Sequence, residues 1–359
     1  DAPVELTLVE RLTAQAEGNP FYIEELINYL HYRGVDFYDK VALEKVELPD
    51  SLQRLVLSLV DQLSEDQKIT VKVASVIGRV FRAAWLHGAY PELGDRAHVS
   101  ADLEVLRQQE LMLLEPSEPE LVYLFRQVIT QGVTYESLPY AMKSVLHEQI
   151  GQFIERTYPD ALDQYLDLLA YHYDRSANQS KQCEYLLKAG EAAQAAYANA
   201  AAIDYYQRVL PLLPETEQAG VMLKLGQVLE LVGQWQPADT MYRQALALTE
   251  RLADLPRHAQ AQRALGWLLR KQGEYVDAFA WMARARASFE QLSDPAGVSS
   301  LLADIGEVYR LQGNYGEARG YYDESLKLAS AVTTPELRLA AHAYALKGAG
   351  TVANSQGDY

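Results

Sequence analysis

Cysteine is almost missing from this 359-residue chain, in which Cys183 stands alone. A single thiol excludes an internal disulfide and points to a reducing, cytoplasmic setting. Its neighbours Gln182 and Glu184 bring no positive charge to hold a thiolate, so Cys183 reads as a buried structural residue. Positive charge is also scarce. Lys and Arg number 32 against 49 Asp and Glu, a net charge of −17. No basic run is present, which excludes backbone-driven binding of nucleic acid. No uncharged apolar stretch reaches the ~18 residues of a membrane span. The seven histidines form no pair at metal-binding spacing, and no Gly-x-Ser-x-Gly motif occurs. The phosphate-binding Gly-x-x-x-x-Gly-Lys-[Ser/Thr] loop is missing as well. Acidic residues are many, but nothing marks a catalytic pair among them. These absences predict a chain that is not itself an enzyme and holds no cofactor or metal of its own. Asp1 takes the place of an initiating Met, so the sequence is expected to be a piece of a longer polypeptide.

What is present is a repeat. A glycine is followed seven residues later by another, then one spacer and an aromatic. The copies are Gly226…Gly233-Gln234-Trp235, Gly266…Gly273-Glu274-Tyr275, Gly306…Gly313-Asn314-Tyr315 and Gly350…Gly357-Asp358-Tyr359. Alignment on the lead glycine brings Ala238, Ala278 and Ala318 together at +12. It brings Tyr242, Met282 and Tyr322 together at +16, and Ala245, Ala285 and Ser325 at +19. A degenerate copy fits Gly190, with Ala202, Tyr206 and Val209 at the same offsets and Asn199 in the aromatic slot. A period of this length predicts stacked helix pairs that bind partners. The pattern resembles the tetratricopeptide repeat: a small residue on helix A, a Gly-x-aromatic turn, then Ala and a bulky residue on helix B. It departs in length, with extra residues late in helix B. Asp294-Pro295 and Thr334-Pro335 read as helix starts, whereas Leu213-Pro214 and Leu255-Pro256 supply proline without a good cap. The fourth copy is expected to continue past Tyr359, and residues 160–180 to cover the first face of the array.

Tyrosine outnumbers phenylalanine 24 to 7. Tyrosine suits a groove, with its ring on an apolar wall and its hydroxyl wet, but it also packs repeats together. Tyr309 and Tyr344 fall on A helices, which line the concave face of such arrays. They are the candidate partner-binding residues.

The first 160 residues are punctuated differently. Residues 4–16 and 21–32 read as amphipathic helices broken at Gly18-Asn19-Pro20. Pro49-Asp50-Ser51 opens a helix with Asp50 as its cap. Ser64-Glu65-Asp66-Gln67 has the form of a capping box. The apolar series that follows runs to Phe81. A helix near Ala83–Tyr90, a short helix at 100–109, and strands at Leu111–Glu115 and Leu121–Phe125 joined through Pro116–Pro119 complete the order of a winged helix. The helix near Ala83 carries only Arg82 and His87 against Glu92 and Asp95, a poor recognition helix for DNA.

Four segments together resemble one family: Glu17–Leu26, Leu48–Gln67, Ala74–Phe81 and Tyr123–Pro139. They are similar to the region behind the nucleotide-binding core of bacterial signal-transduction ATPases with numerous domains. These are AAA-type switches that often carry a cyclase or kinase effector and a C-terminal tetratricopeptide array. The resemblance implies a lid remnant at 1–47, a winged-helix-like domain at 48–159 and an α-solenoid at 160–359. It implies that Gly18, Asn19 and Pro20 lie against the adenine of ATP or ADP, held with Mg, in the complete protein only. Two positions depart from the family. Gln127 stands where a basic residue is usual and Leu59 where Arg is frequent, removing a charge expected near the nucleotide or a domain interface. The expected fold is mainly all-α, with one hairpin and a tetratricopeptide solenoid. The expected function is regulatory: the solenoid senses a protein, peptide or small ligand and the winged helix relays its presence to an upstream ATPase core. A passive scaffold is the alternative. A second is part of a nucleotide cyclase whose catalytic domain lies outside these residues.

Overall fold

The computed structural model describes residues 6–16, 19–32, 34–36, 48–115 and 120–356. Among the described residues it is built almost wholly of helices, with three short strands, and the chain divides into two compact units, Asp1–Gln182 and Cys183–Tyr359.

The first unit opens with α1 (Leu6–Ala16) and α2 (Pro20–Tyr32). Helix α3 (Leu52–Asp61) is capped by Ser51, whose hydroxyl accepts from the Arg54 amide. The expected cap, Asp50, instead pairs with the Arg54 guanidinium at 2.5 Å. The next helix, α4 (Glu65–Ile77), carries the anticipated reciprocal box between Ser64 and Gln67. The apolar series does not stay helical to Phe81. Gly78, at φ 146°, ends α4, and Val80–Arg82 become a strand, β1. Helix α5 (Ala83–Ala89) follows, then α6 (Arg96–Gln108), which starts four residues earlier than the sequence suggests because Asp95 caps it. Strands β2 (Met112–Glu115) and β3 (Val122–Phe125) pair antiparallel, and β1 adds to β3, giving the order β1-β3-β2. The expected turn at 116–119 lies outside the described residues.

Strand alternation sends Phe81, Tyr123 and Phe125 inward, where the Phe81 ring meets those of Tyr123 and Phe125 at 6.3 and 6.1 Å. Helices α7 (Val128–Glu136), α8 (Tyr140–Thr157) and α9 (Leu166–Tyr173) complete the unit. Helix α9, expected to cover the repeat array, packs on α8. Gly151 leaves room there for the Tyr173 ring, which a Cβ would meet at 2.7 Å. Beside this contact His147 and His172, both fully buried, bring their Nδ1 atoms to 2.8 Å. The Tyr135 hydroxyl meets His147 Nε2 at 3.0 Å, and His172 Nε2 has no partner among the described residues.

The second unit alternates A and B helices. The A helices are α10 (Gln179–Ala195, shared with the first unit's last residues), α12 (Glu215–Leu231), α14 (Leu255–Gln272), α16 (Pro295–Leu311) and α18 (Pro335–Gln356). The B helices are α11 (Asn199–Val209), α13 (Trp235–Arg251), α15 (Tyr275–Gln291) and α17 (Tyr315–Ala329). Each part of the repeat has a physical task. The lead glycines let helix B's bulky residue touch helix A. A Cβ at Gly226 would lie 2.3 Å from the Tyr242 ring, and one at Gly190 2.8 Å from that of Tyr206. A Cβ at Gly266 would lie 2.9 Å from the Met282 side chain. The glycines at +7 take a left-handed conformation between the helices, with φ of 77°, 84° and 77° at Gly233, Gly273 and Gly313. The degenerate copy reaches the same conformation with Tyr197, at φ 58°.

Two expectations change here. Leu255-Pro256 does have a cap, because Asp254 accepts from the Arg257 amide at 3.1 Å and Pro256 sits inside the first turn. In the last copy Gly348, rather than Gly350, gives way to an aromatic ring. A Cβ at Gly348 would lie 2.0 Å from Tyr322, whereas nothing lies within 4 Å of one at Gly350. Gly357 and Tyr359 lie outside the described residues. Cys183 is half-buried rather than buried, and burial, then Glu217, raises its thiol above the usual range.

Candidate functional site

The A helices of the second unit expose one face to a cavity of about 1200 Å³. Helix α14 contributes Arg257, Gln260, Arg263, Ala264, Trp267 and Lys271. Their spacing of three and four residues is that of a single helical stripe. Helix α12 contributes a matching stripe that includes Val221, Lys224, Gln227 and Glu230, while Asp304 and Tyr344 reach in from α16 and α18.

Ionic and hydroxyl contacts tie neighbouring A helices across this face. Asp304 is 1 % exposed, and it accepts from Arg263 Nε at 2.5 Å and from the Tyr344 hydroxyl at 2.6 Å. One buried carboxylate thus joins α14, α16 and α18. Glu230 joins α12, α13 and α14: Lys271 approaches it to 2.7 Å and the Tyr242 hydroxyl donates to it at 3.0 Å. Lys224 pairs with Glu191 of α10. Arg270 covers the Trp267 ring at 3.8 Å. Burial, followed by the adjacent carboxylate, pushes the phenols of Tyr242 and Tyr344 well above their usual range, so both remain hydrogen-bond donors. Burial of a charge is costly unless it is paired and hydrogen-bonded, and both carboxylates meet that condition.

Of the two tyrosines singled out in the sequence, Tyr344 lines the cavity and Tyr309 does not. Tyr309 stacks on Tyr321 at 5.3 Å and tilts against Phe279 at 4.9 Å, where it fills the seam between repeats. In the first unit Gly18 lies outside the described residues. Asn19 and Pro20 are exposed at the start of α2, and the Asn19 carbonyl accepts from the Ile23 amide at 3.2 Å. Leu59 is buried in the core, and Gln127 immediately precedes α7. Among the described residues no cluster of His, Cys, Asp and Glu is placed to hold a metal ion, and no helix is long and apolar enough to cross a membrane.

Lys224, Arg263, Lys271 and Asp304 were not picked out from the sequence, although a signal exists. Offset −2 from the lead glycine holds Lys224, Ala264, Asp304 and Gly348, and offset +5 holds Leu231, Lys271 and Leu311. These offsets change chemistry from copy to copy while +12 stays alanine, so the repeated contact between helices does not dictate them.

Models of the tetratricopeptide repeat match residues 217–291 and 298–332. The second unit is therefore an array of tetratricopeptide repeats. A curated relative, the protein FLUORESCENT IN BLUE LIGHT of Arabidopsis thaliana chloroplasts, is 26 % identical over 110 residues. That stretch is 31 % of this chain and 35 % of the relative, so the chain matches about a third of that protein's length. Among solved structures, a Rap protein complexed with Competence and Sporulation Factor aligns with a TM-score of 0.47 at 14 % identity, covering 86 % of this chain and 73 % of that one. NprR in complex with its cognate peptide NprX gives 0.45 at 16 %, covering 77 % and 72 %. A Signal Transduction ATPase with Numerous Domains from Pyrococcus horikoshii, with a tetratricopeptide repeat sensor, gives 0.39 at 14 %, covering 95 % and 54 %.

Proposed function

We propose that the second unit is a sensor whose A-helix groove takes a peptide or a segment of a partner protein. One observation carries this reading. The groove of about 1200 Å³ is lined by polar and charged side chains already fixed by contacts between repeats, so little ordering remains to be done on binding. The first unit supplies the coupling element. Its helix–strand–helix–helix–hairpin order and its β1-β3-β2 sheet support reading residues 48–159 as a winged-helix-like domain, between a lid remnant at 1–47 and a solenoid from 160. The chain then acts as the C-terminal regulatory portion of a signal-transduction ATPase, with Gly18, Asn19 and Pro20 facing the adenine of ATP or ADP in the complete polypeptide. A bound peptide shifts such a switch only if it prefers one of its two arrangements.

Selection from a random-peptide display library on this chain tests the groove. Recovered peptides are expected to lose binding to Ala264→Trp, which fills the groove, while the variant keeps the wild-type helical signal. Peptides that bind both proteins equally would place recognition elsewhere. In the complete polypeptide the same peptides are expected to change the rate of ADP release. If they bind without changing that rate, the array is a passive scaffold.

A further inference from the structure

We infer that the groove selects an acidic peptide and that Arg263 is the side chain that reads its carboxylate, an inference that rests on the groove being the ligand site. The chain carries −17 overall, yet the groove lining holds four cations, Lys224, Arg257, Arg263 and Lys271, against three carboxylates, Glu217, Glu230 and Asp304. The lining itself therefore counts one more cation than carboxylate, and each cation is held by one carboxylate: Lys224 by Glu191, Arg257 by Asp254, Arg263 by Asp304 and Lys271 by Glu230.

Apart from Glu217, which is exposed, the lining carboxylates are less available than the cations. Glu230 and Asp304 have side chains only 7 % and 1 % exposed, and each is already held by a cation and a tyrosine hydroxyl. The four cations remain 31–43 % exposed. Arg263 donates through Nε to Asp304, and Asp304 is the only carboxylate it pairs with among the described residues. Its guanidinium is thus anchored through Nε by a buried charge, beside the Tyr344 hydroxyl, while 34 % of the side chain stays exposed. A planar fork fixed in this way favours a carboxylate, which it can meet with two parallel hydrogen bonds. Asp304 and Tyr344 are positioning residues for Arg263.

The spacing of the cations favours a peptide over a small anion. The helix rise separates Arg257 from Arg263 by about 9 Å and Arg263 from Lys271 by about 12 Å along α14. In an extended chain those distances correspond to roughly three and four residues. Val221, Leu223 and Trp267 lie in the same lining and offer apolar surface to the side chains between the acidic ones.

The test uses the whole chain and three fluorescein-labelled peptides of equal length. One is Leu/Val-rich with Asp or Glu at every third or fourth residue. The second replaces each acid by its amide, and the third by Lys. The acidic peptide is expected to bind at least tenfold more tightly than the amide twin and to weaken as salt rises. Arg263→Lys retains a charge beside Asp304 but loses the fork, and should abolish most of that tenfold preference while leaving the amide twin unchanged. Arg263→Gln strands Asp304 and can unfold the array. Lys224→Gln and Arg257→Gln leave Asp304 paired, and each should reduce binding of the acidic peptide two- to fivefold. Equal binding of the acidic and amide peptides would overturn the inference and leave the groove as a ligand site. Failure of all three peptides together with every display-selected one would overturn both.

Discussion

The second unit solves its packing once and repeats the solution, whereas the first unit settles each contact separately. Gly190 against Tyr206, Gly226 against Tyr242 and Gly306 against Tyr322 are the same contact in three copies, and Met282 takes the aromatic's place against Gly266. In the first unit Gly151 against Tyr173 and Gly88 against Phe153 use the same chemistry, but no period relates them. The difference separates packing from function. Where one contact recurs, the positions that do not recur are free to carry other chemistry, and Lys224, Arg263 and Lys271 are among them. A unit without repetition offers no such background. Its unusual groups, such as the His147–His172 pair, stand out only in three dimensions.

The comparison is broken most severely by removing one repeated aromatic. Tyr242 is buried and holds Glu230, so Tyr242→Ala leaves both a cavity and an unpaired acceptor. A loss of ~3–5 kcal/mol is expected, confined to the second unit. Site-resolved hydrogen exchange should show faster exchange in α12 to α14 and no change at Trp85 in the first unit. Loss of protection in both units would show that they do not fold separately.

Acid should act on the first unit instead. Burial, then Arg175 and Lys143, lowers His147 to about 4, and burial, then His147 and Arg175, holds His172 well below the usual imidazole range. The groups facing the pair are Tyr135 from α7, Lys143 from α8, and Tyr171 and Arg175 from α9 and the turn after it. None is an anion that would stabilise an imidazolium. With folded values below unfolded ones, the unfolded chain takes up protons first. Stability is therefore full above about pH 6.5 and is lost as pH falls toward 4. From pH 7.5 to 5 His147 alone accounts for about 2 kcal/mol. Denaturation followed through Trp85 should show this loss, and His147→Phe with His172→Leu should flatten it. An unchanged slope in the double variant would assign the acid sensitivity to other groups.

The smallest effect comes from the imperfect copy. Tyr197 holds a left-handed conformation that its counterparts give to glycine, and its side chain is exposed. Tyr197→Gly should stabilise the second unit by ~0.5–1 kcal/mol. The reverse change at its counterpart, Gly273→Ala, should cost a similar amount. Thermal melting compares the two, and a destabilising Tyr197→Gly would mean that the tyrosine ring makes a contact worth more than the strain it causes.

The legibility of the chain divides along the same line. The helix pairs, their glycine turns and the packing role of Tyr206, Tyr242 and Tyr322 follow from periodicity, because one physical constraint is written several times. The capping box at Ser64 and the hairpin strands follow from local chemistry. Strand β1 does not, since Val80–Arg82 continue an apolar series and become a strand only by pairing with β3, Val80 with Leu124 and Arg82 with Val122. The partnership of His147 with His172 is likewise set by the packing of α8 on α9. Tyr309 and Tyr344 share a place on A helices, and only the neighbouring helices decide that one fills a seam and the other reaches Asp304.

The most direct test of the groove is hydrogen exchange on the intact chain with and without a peptide recovered by display. Protection is expected along α12 and α14 and around Tyr344 in the middle of α18, with the B helices α13, α15 and α17 and the first unit unchanged. Protection confined to the B helices or to the first unit would contradict the account.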